Sequence, residues 1–329
     1  MADQNSTLPW SRSGWLEQAG AWIHAELERL GLSAAGPIEQ PHVRPWSTVL
    51  RVPLGEGQVY FKATAPALGH EPALTQALSA WRPDCMPQVL AANLEHGWLL
   101  LSDGGATLRS LIQSVEDIHH WRSVLPLYAG LQIEMSTRLP ELLSLGALDR
   151  RLETLPAQFE QLLAGAQALH IDEPGGLTSA EYRRLQDLVP CFAEQCAQLA
   201  AYGIPETLHH DDFHDANIFF RDGRYIFFDW GESCAAHPFF TLVVTLRSVA
   251  YRLELEPDDP ELARLRGIYL EPWADYAPPQ ALSSAFDLAR RVGTVSRALT
   301  WHRVVSNLEE PFTSQHAGAV PGWLQEYLL

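Results

Sequence analysis

The stretch His210-Asp211-Asp212-Phe213-His214-Asp215-Ala216-Asn217 (HDDFHDAN), followed twelve residues later by Asp229-Trp230-Gly231, decides how this chain folds. Two β-prone runs, 218–220 and 225–228, lie between these groups, and Arg221-Asp222-Gly223-Arg224 separates them. An Asp-Gly pair between two such runs is a strong signal for a tight β-hairpin. We therefore expect a hairpin that brings Asn217 back beside Asp229.

The chemistry of phosphoryl transfer explains the spacing H-x-D-x-x-x-x-N followed by D-x-G, with which kinases build a catalytic loop and a metal site. The reaction needs a carboxylate beside the acceptor hydroxyl and oxygen ligands for Mg²⁺. Asp212 fits the first requirement. Asn217 and Asp229 can offer an amide oxygen and a carboxylate oxygen to the metal. The spacing thus predicts Asp212 as the catalytic carboxylate and Mg²⁺ as a cofactor.

The same stretch admits a different metal site. His210 and His214 have the i, i+4 spacing of zinc ligands on a helix, which would fit a metal-dependent hydrolase. Aspartate and asparagine are poor helix formers, however, and four of them crowd this stretch. The hydrolase is therefore the less favoured alternative.

Lys62 is the only lysine in the sequence, against 22 arginines. It falls in the second of two runs, 48–52 and 59–63, that predict a β-hairpin. A single lysine kept in an apolar strand indicates a function that the planar arginine fork cannot serve, such as a point charge on the α- and β-phosphates of a nucleotide. Glu71, early in the next helical pattern, is the expected partner, and a helix N-terminal acid is its alternative interpretation.

The hydrophobic periodicity of the first part of the chain predicts a small lobe with an amphipathic helix and several strands. Between Arg44 and Leu54 there is no G-x-G-x-x-G, so we expect Ser47, Thr48 and backbone amides to cover the phosphates. The predicted helix spans 14–31, and the strands that follow the hairpin span 89–93 and 98–101.

The boundary of this lobe is predicted where Ser102-Asp103-Gly104-Gly105 follows the last strand. The glycine pair suits a hinge beside the adenine, with Ser102 and Asp103 as nucleotide-binding residues. Helical patterns dominate from there to the C-terminus. We expect an α+β fold of two lobes, a β-rich nucleotide-binding lobe at 1–103 and a larger helical lobe at 104–329 that carries the catalytic loop and the acceptor site.

Composition narrows the class of protein. The chain has 329 residues, of which 47% are hydrophobic, and this is ample for a buried core. Its net charge of −17 argues against nucleic acid or an anionic membrane as a partner. Most of this charge lies after Asp103. An acidic second half either attracts a cationic substrate or serves solubility, and the sequence leaves both interpretations open.

The sequence gives no indication of export. The stretch MADQNSTLPWSRSG lacks a basic region followed by an apolar core, and no apolar run approaches the length of a membrane span. The four cysteines form no C-x-x-C pair, so we expect reduced thiols. These features favour a cytoplasmic location.

HDDFHDAN, the later FFDWG and the lysine in an upstream strand together resemble the aminoglycoside phosphotransferase and choline kinase family, the small-molecule branch of the protein-kinase-like fold. The loop of that family is usually written H-G-D-x-H-x-x-N. His210, Asp212, His214 and Asn217 match it, whereas Asp211 stands in place of its glycine.

The resemblance implies a kinase that uses ATP or GTP to phosphorylate a hydroxyl of a small molecule such as an aminoglycoside. It implies catalytic roles for Asp212, His210 and His214, magnesium ligation by Asn217 and Asp229, and phosphate contacts from Lys62 with Glu71. A catalytically inactive nucleotide-binding module is the second hypothesis, although such proteins usually lose a residue that is retained here. The sequence does not identify the acceptor, the preferred nucleotide or the oligomeric state.

Overall fold

The computed structural model describes residues 8–329. Residues 1–7, which begin the stretch without a signal-peptide pattern and open the predicted lobe 1–103, lie outside the described residues. The chain divides into two compact units. The first comprises the chain up to Gly105 together with Phe219–Gly231 and Asn307–Phe312, and the second comprises Ala106–Ile218, Glu232–Ser306 and Thr313–Leu329.

Short strands occur in both units. Within residues 8–329 they are β1 (Glu39–Val43), β2 (Ser47–Pro53), β3 (Gln58–Thr64), β4 (Val89–Asn93), β5 (Trp98–Ser102), β6 (Ala106–Thr107), β7 (Leu148–Asp149), β8 (Thr207–His209), β9 (Ile218–Arg221), β10 (Arg224–Phe227) and β11 (Cys234–Ala236).

The α-helices concentrate after residue 105. In the described part of the chain they are α1 (Trp15–Arg29), α2 (Glu71–Trp81), α3 (Leu108–Leu111), α4 (His119–Ser136), α5 (Leu139–Ser144), α6 (Leu155–Ala164), α7 (Ser179–Asp187), α8 (Val189–Ala200), α9 (Thr241–Leu253), α10 (Pro260–Leu270), α11 (Pro279–Val305), α12 (Phe312–Gln315) and α13 (Ala319–Leu328). None of these helices is both long and apolar enough to cross a membrane.

The first unit is built on an antiparallel sheet with the strand order β1-β2-β3-β5-β4. The predicted helix and hairpin are present, whereas β1 was not predicted. Helix α1 buries Trp15, Ala19, Ile23 and Leu27 against the sheet, because residues four apart share one helix face. Leu16, which the amphipathic pattern of this helix also placed on the apolar face, is instead 51% exposed. Strand β3, which carries Lys62, lies in the middle of the sheet, between β2 and β5.

The predicted hairpin after the loop 210–217 is confirmed as β9 and β10. Asp222 and Gly223 have φ angles of 52° and 76°. Positive φ at both central residues defines the type I′ turn that Asp-Gly favours. The sequence therefore determined this turn locally.

In the second unit, the loop 210–217 lies at the end of a small sheet. Strand β11 runs parallel to β7 and antiparallel to β8, with Cys234 paired to both Leu148 and His209. The loop 210–217 follows β8 directly, and Arg150 follows β7. Helix α11 is buried continuously from Val292 to Thr300, so it is a central element of this unit.

Candidate active site

The loop 210–217 is not helical, which removes the helical spacing that the zinc alternative requires. It is held by His209, whose Nδ1 lies 2.9 Å from Thr241 Oγ1 and whose Nε2 lies 3.0 Å from Asp211 Oδ1. Asp211 has a φ of 62°. This left-handed conformation favours glycine and is tolerated by aspartate, which accounts for the glycine usual in the related loop motif. The sequence alone showed that Asp211 replaces the glycine of the motif, but it did not show the backbone conformation that both residues can adopt.

Asp212 is held on both carboxylate oxygens. Arg297 Nη2 donates to Oδ1 at 2.9 Å, and His214 Nε2 lies 3.1 Å from Oδ2. Burial opposes ionisation, but the charge of Arg297 and the hydrogen bond from His214 outweigh it and lower the pKa of Asp212 to about 2. The side chain is still 28% exposed. Asp212 therefore presents a permanent negative charge that a ligand can reach.

The two predicted catalytic histidines differ in their surroundings. His214 Nδ1 accepts from the Ala216 amide at 3.1 Å, so its Nε2 carries the proton that is donated to Asp212. Burial disfavours protonation of this ring, yet the bond to Asp212 raises its pKa. His210 is fully buried, packs edge-on against Phe213, and has its backbone amide bound by the Tyr128 hydroxyl at 3.0 Å. Its ring is part of the packing beneath the loop.

Hydrogen bonds to Asp212 orient the side-chain amide of Asn217. Its Nδ2 donates to the backbone oxygen of Asp212 at 2.9 Å and lies 3.3 Å from Asp212 Oδ2. Because the nitrogen is committed to the loop, the Oδ1 atom is the one that can coordinate a cation. An oriented amide oxygen beside an ionised carboxylate is a donor set that suits Mg²⁺.

Arg297 of α11 and Glu232 complete this site, and sequence analysis missed both. The Arg297 guanidinium, 6% exposed, contacts the carboxylates of Asp211, Asp212 and Glu232. One cation cannot neutralise three anions. Burial and the charges of Asp212 and Asp211 accordingly raise the pKa of Glu232 to about 7, against the pull of Arg297. Arg297 could have been recognised in the sequence as an arginine inside the run 292–300, whose other residues are apolar or small.

A second ion pair secures the far side of the loop. Asp215 is buried and accepts from Arg109 at 2.7 Å, and its backbone oxygen accepts from the Arg109 amide at 2.9 Å. The loop is thus fixed at Asp211, Asp212 and Asp215, each bound to an arginine. Such preorganisation suits a residue that must orient a reacting group.

In the first unit, Lys62 lies between two carboxylates. Its Nζ is 2.5 Å from Glu71 Oε1 and 2.7 Å from Asp229 Oδ1, and Thr64 donates to the other Glu71 oxygen at 2.6 Å. Burial lowers the pKa of Lys62, but the two acids reverse this and raise it above its ordinary value. Lys62 and Glu71 are buried, whereas the Asp229 side chain is 43% exposed. The structure therefore brings the expected lysine, glutamate and aspartate together.

The D-x-G spacing has a local explanation here. Asp229 has a φ of 64°. A Cβ atom at Gly231 would lie 3.3 Å from Glu71 Oε2 and 3.4 Å from Leu68 Cδ1. A larger residue would crowd the partner of Lys62, so the glycine permits the close approach.

The residues expected to bind the nucleotide have other contacts in the first unit. Thr48 Oγ1 donates to the His42 carbonyl at 2.8 Å and accepts from Gln40 at 2.9 Å, and Ser47 is buried. Asp103 accepts from Gln58 at 3.2 Å and from the Gly105 amide at 3.0 Å, and Ser102 ends β5. Nucleotide contacts by these four residues stay predictions.

The glycine pair after Asp103 is required for packing. A Cβ at Gly104 would lie 2.7 Å from the Phe228 ring, and one at Gly105 would lie 2.6 Å from the Phe220 carbonyl oxygen. Gly105 also has a φ of 85°. Close approach to the β9–β10 hairpin therefore explains both glycines.

A family model and several solved structures match this chain. The model of a phosphotransferase enzyme family, APH, matches residues 47–282, well over half of the chain. No curated protein matches the sequence.

Among solved structures, an ethanolamine kinase from Plasmodium vivax is 13% identical with a TM-score of 0.61, covering 99% of this chain and 91% of its own. A type I macrolide 2′-phosphotransferase is 12% identical with a TM-score of 0.60, covering 92% and 97%. A choline kinase from Streptococcus pneumoniae is 12% identical with a TM-score of 0.58, covering 94% and 100%. These likenesses show a shared fold, and the predicted α+β, protein-kinase-like class is confirmed.

Proposed function

The chain belongs to this phosphotransferase enzyme family and is a small-molecule kinase, and we propose that it transfers the γ-phosphate of ATP or GTP to a hydroxyl group of its acceptor. The observation that carries the proposal is the state of Asp212, a carboxylate held ionised by Arg297 and His214 and still open to a ligand. Phosphoryl transfer asks for such a group beside the attacking hydroxyl.

The low pKa of Asp212 determines how this carboxylate would act on the acceptor hydroxyl. A carboxylate with a pKa of about 2 is a weak base, so it orients the hydroxyl by accepting its hydrogen bond and takes the proton only as the oxygen–phosphorus bond forms. This agrees with the loose transition state of phosphoryl transfer, in which positioning matters more than early deprotonation. His214 supports the role by fixing Oδ2, and buried His210 acts as a positioning residue for the loop backbone.

Mg²⁺ is the expected metal, because amide and carboxylate oxygens are the donors it prefers. Asn217 Oδ1 and the Asp229 carboxylate would hold it, and when bound it neutralises charge on the transferring phosphate. Lys62, kept protonated by Glu71 and Asp229, would bind the α- and β-phosphates. Backbone amides near Ser47 and Thr48 would cover the phosphates, with Ser102 and Asp103 on the nucleoside side.

The charged groups that phosphoryl transfer requires are retained, and this favours an active enzyme over an inactive nucleotide-binding module. Lys62, Asp212 and Asp229 are all present, and each is held in an ordered set of hydrogen bonds. We place the enzyme in the cytoplasm, acting on a small molecule and without nucleic acid or membrane as a partner.

The decisive experiment is Asp212→Asn. We expect kcat for ADP release in an acceptor panel to fall by about 10²- to 10⁴-fold, with little change in nucleotide affinity. Asp222→Asn is the matched control, because it makes the same chemical change at the exposed hairpin tip. Equal turnover in both variants would remove Asp212 from the mechanism.

The metal assignment has its own test. Asp229→Ala should abolish the Mg²⁺-dependent part of nucleotide binding measured by thermal shift. Nucleotide binding that still depends on Mg²⁺ would place the metal elsewhere.

A further inference from the structure

The second unit contains a cavity of about 410 Å³, within the size range of small-molecule sites. It lies where the end of β7, helix α6 and helix α11 meet. Three leucines line the cavity, and the rest of its wall is polar, formed by Asp149, Arg150, Gln158, Gln161, His302 and Arg303.

Arg150 is the unusual member of this lining. It is 9% exposed. Its Nη1 donates to Gln158 Oε1, a neutral acceptor. No carboxylate among residues 8–329 forms an ion pair with it, and its Nε has no hydrogen-bond partner there. A buried charge without a counter-ion is costly, so the position calls for an anion that comes from outside the chain.

The neighbouring charges do not supply that anion. The charge of Asp211 acts on Arg150, but this carboxylate is bound by His209 and paired with Arg297. Asp149 lines the cavity, but its carboxylate is bound by Arg151 at 2.7 Å. From the opposite wall, α11 contributes Arg303 and His302. Burial and the charge of Arg150 lower the pKa of His302, so this ring is neutral near pH 7 and offers hydrogen bonds rather than charge. The lining therefore carries Arg150 without a carboxylate partner, and its one acid is already paired with Arg151.

The cavity is joined to the catalytic loop through two elements. The Arg150 amide donates to Ala235 at 2.8 Å, and the adjacent Cys234 is paired with His209, the residue before the loop. Helix α11 contributes His302 to the cavity and, five residues earlier, Arg297 to the ion pair with Asp212. Asp211, the neighbour of Asp212 in the loop, lies close enough for its charge to act on the Arg150 guanidinium, so the cavity borders the catalytic loop on the Asp211 side.

We propose that this cavity binds the oxyanion of the acceptor, a carboxylate or a phosphate group, and that the enzyme phosphorylates a hydroxylated small acid. The inference rests on the proposed function, since it assigns the substrate class of the same site. The net charge of −17 made a cationic acceptor one expectation from the sequence. The lining of this cavity is not acidic, so it favours an anionic acceptor instead.

The first test measures binding without nucleotide. Glycerate, gluconate and inorganic phosphate are titrated at constant ionic strength, with glycerol and sorbitol as neutral counterparts, and the thermal midpoint is recorded for wild type, Arg150→Gln and Arg29→Gln. Arg29 is an exposed arginine paired with Glu26, so its variant matches the change of charge.

We expect at least one of the three anions to raise the midpoint of wild type and Arg29→Gln, and Arg150→Gln to lose that rise. A response to phosphate alone would assign the site to a phosphate group, and a response to the hydroxy acids would assign it to a carboxylate. Equal responses to anions and neutral counterparts, or an undiminished response in Arg150→Gln, would overturn the proposal. Arg150→Gln should fold, because it removes an unneutralised buried charge; Arg303→Gln is the second variant.

The second test separates this proposal from the proposed function. ADP release is measured with the same acids and alcohols, and with choline and kanamycin as cationic acceptors. We expect turnover with an acid, and a KM for it that rises about 10- to 100-fold in Arg150→Gln with a smaller change in kcat. Anion binding that depends on Arg150, without any ADP release, would support the cavity and contradict the kinase function. Turnover of only neutral or cationic acceptors would overturn the cavity proposal and leave the function intact.

Discussion

Arg297 Nη2 donates a hydrogen bond to Asp212 Oδ1 at 2.9 Å, although 85 residues separate the two in the sequence. The same guanidinium contacts Asp211 and Glu232. A single buried cation from α11 thus fixes the geometry of the Asp212 carboxylate and sets the protonation of the acids around it. Much of the chemistry of the site should therefore depend on Arg297, which acts through the carboxylates that it binds.

Arg297→Met should move the acid limb of the kcat/KM profile to higher pH. Without the guanidinium, burial raises the pKa of Asp212 from about 2 toward or above the ordinary carboxylate range. We also expect kcat to fall about 100-fold through misplacement of Asp212. The unfolding free energy should fall by about 3–5 kcal/mol, because buried carboxylates lose their counter-ion.

Arg297→Lys is the matched variant, since it keeps the charge but not the fork that bonds to several carboxylates. Its acid limb should lie between those of wild type and the methionine variant. The positioning role would be wrong if the pH profile of Arg297→Met superimposed on that of wild type after scaling.

Glu232→Gln should become increasingly stabilising as pH rises from 5 to 8. Folded Glu232 keeps its proton up to a pKa of about 7, whereas the unfolded side chain ionises near ~4.3. Between these values the folded state binds more protons than the unfolded state, so the contribution of this group to stability is lost as the pH rises. Glutamine copies the protonated form and does not titrate.

Thermal midpoints of both proteins, measured across this pH range, test the point. The difference should be small at pH 5 and reach on the order of 5 °C at pH 8. A difference that stayed constant with pH would show that Glu232 is ionised throughout.

Lys62 offers a chemical test without mutation, because it is the only lysine. A lysine-selective acylating nucleotide analogue should modify this side chain and inactivate the enzyme, and saturating MgATP should protect it. Labelling should be slow near pH 7 and should accelerate as pH rises, since Asp229 and Glu71 keep the amine protonated. Peptide mass spectrometry gives the rate, with the α-amino group as internal reference.

Two variants sharpen this test. Asp229→Asn should speed labelling of Lys62 by removing one of its two carboxylates. Lys62→Arg should not restore activity, because a longer planar group cannot replace a compact ammonium ion in this strand. Equal labelling with and without MgATP would place Lys62 outside the nucleotide site.

Asp211→Gly should be more stable than Asp211→Ala by about 1–2 kcal/mol, because alanine is strained in the left-handed region and glycine is not. Both variants remove the same carboxylate, so the comparison isolates the backbone at φ 62°. Urea unfolding measures the difference. Asp222, at φ 52° in the exposed hairpin turn, gives the same comparison without buried ion pairs. Equal stability of the two Asp211 variants would contradict the left-handed backbone.

The sequence by itself determined the features that depend on neighbours along the chain. The Asp-Gly turn, the helix at 14–31, the spacing from Asp212 to Asn217 and the strand position of Lys62 all follow from short-range periodicity and side-chain chemistry. Even the pairing of Lys62 with Glu71 was predictable, because the strand and the helix that carry them are consecutive.

Only the tertiary structure decided which distant charges meet. Arg297, Glu232 and Arg150 lie in ordinary-looking segments, and their importance comes from burial, which makes an ionic partner or its absence energetically decisive. The sequence showed that Asp211 replaces a glycine, but the φ angle and the contacts with His209 and Arg297 exist only once α11 packs beside the loop. Local patterns specify the proposed catalytic groups, whereas long-range packing sets their pKa values and shapes the cavity lined by Arg150.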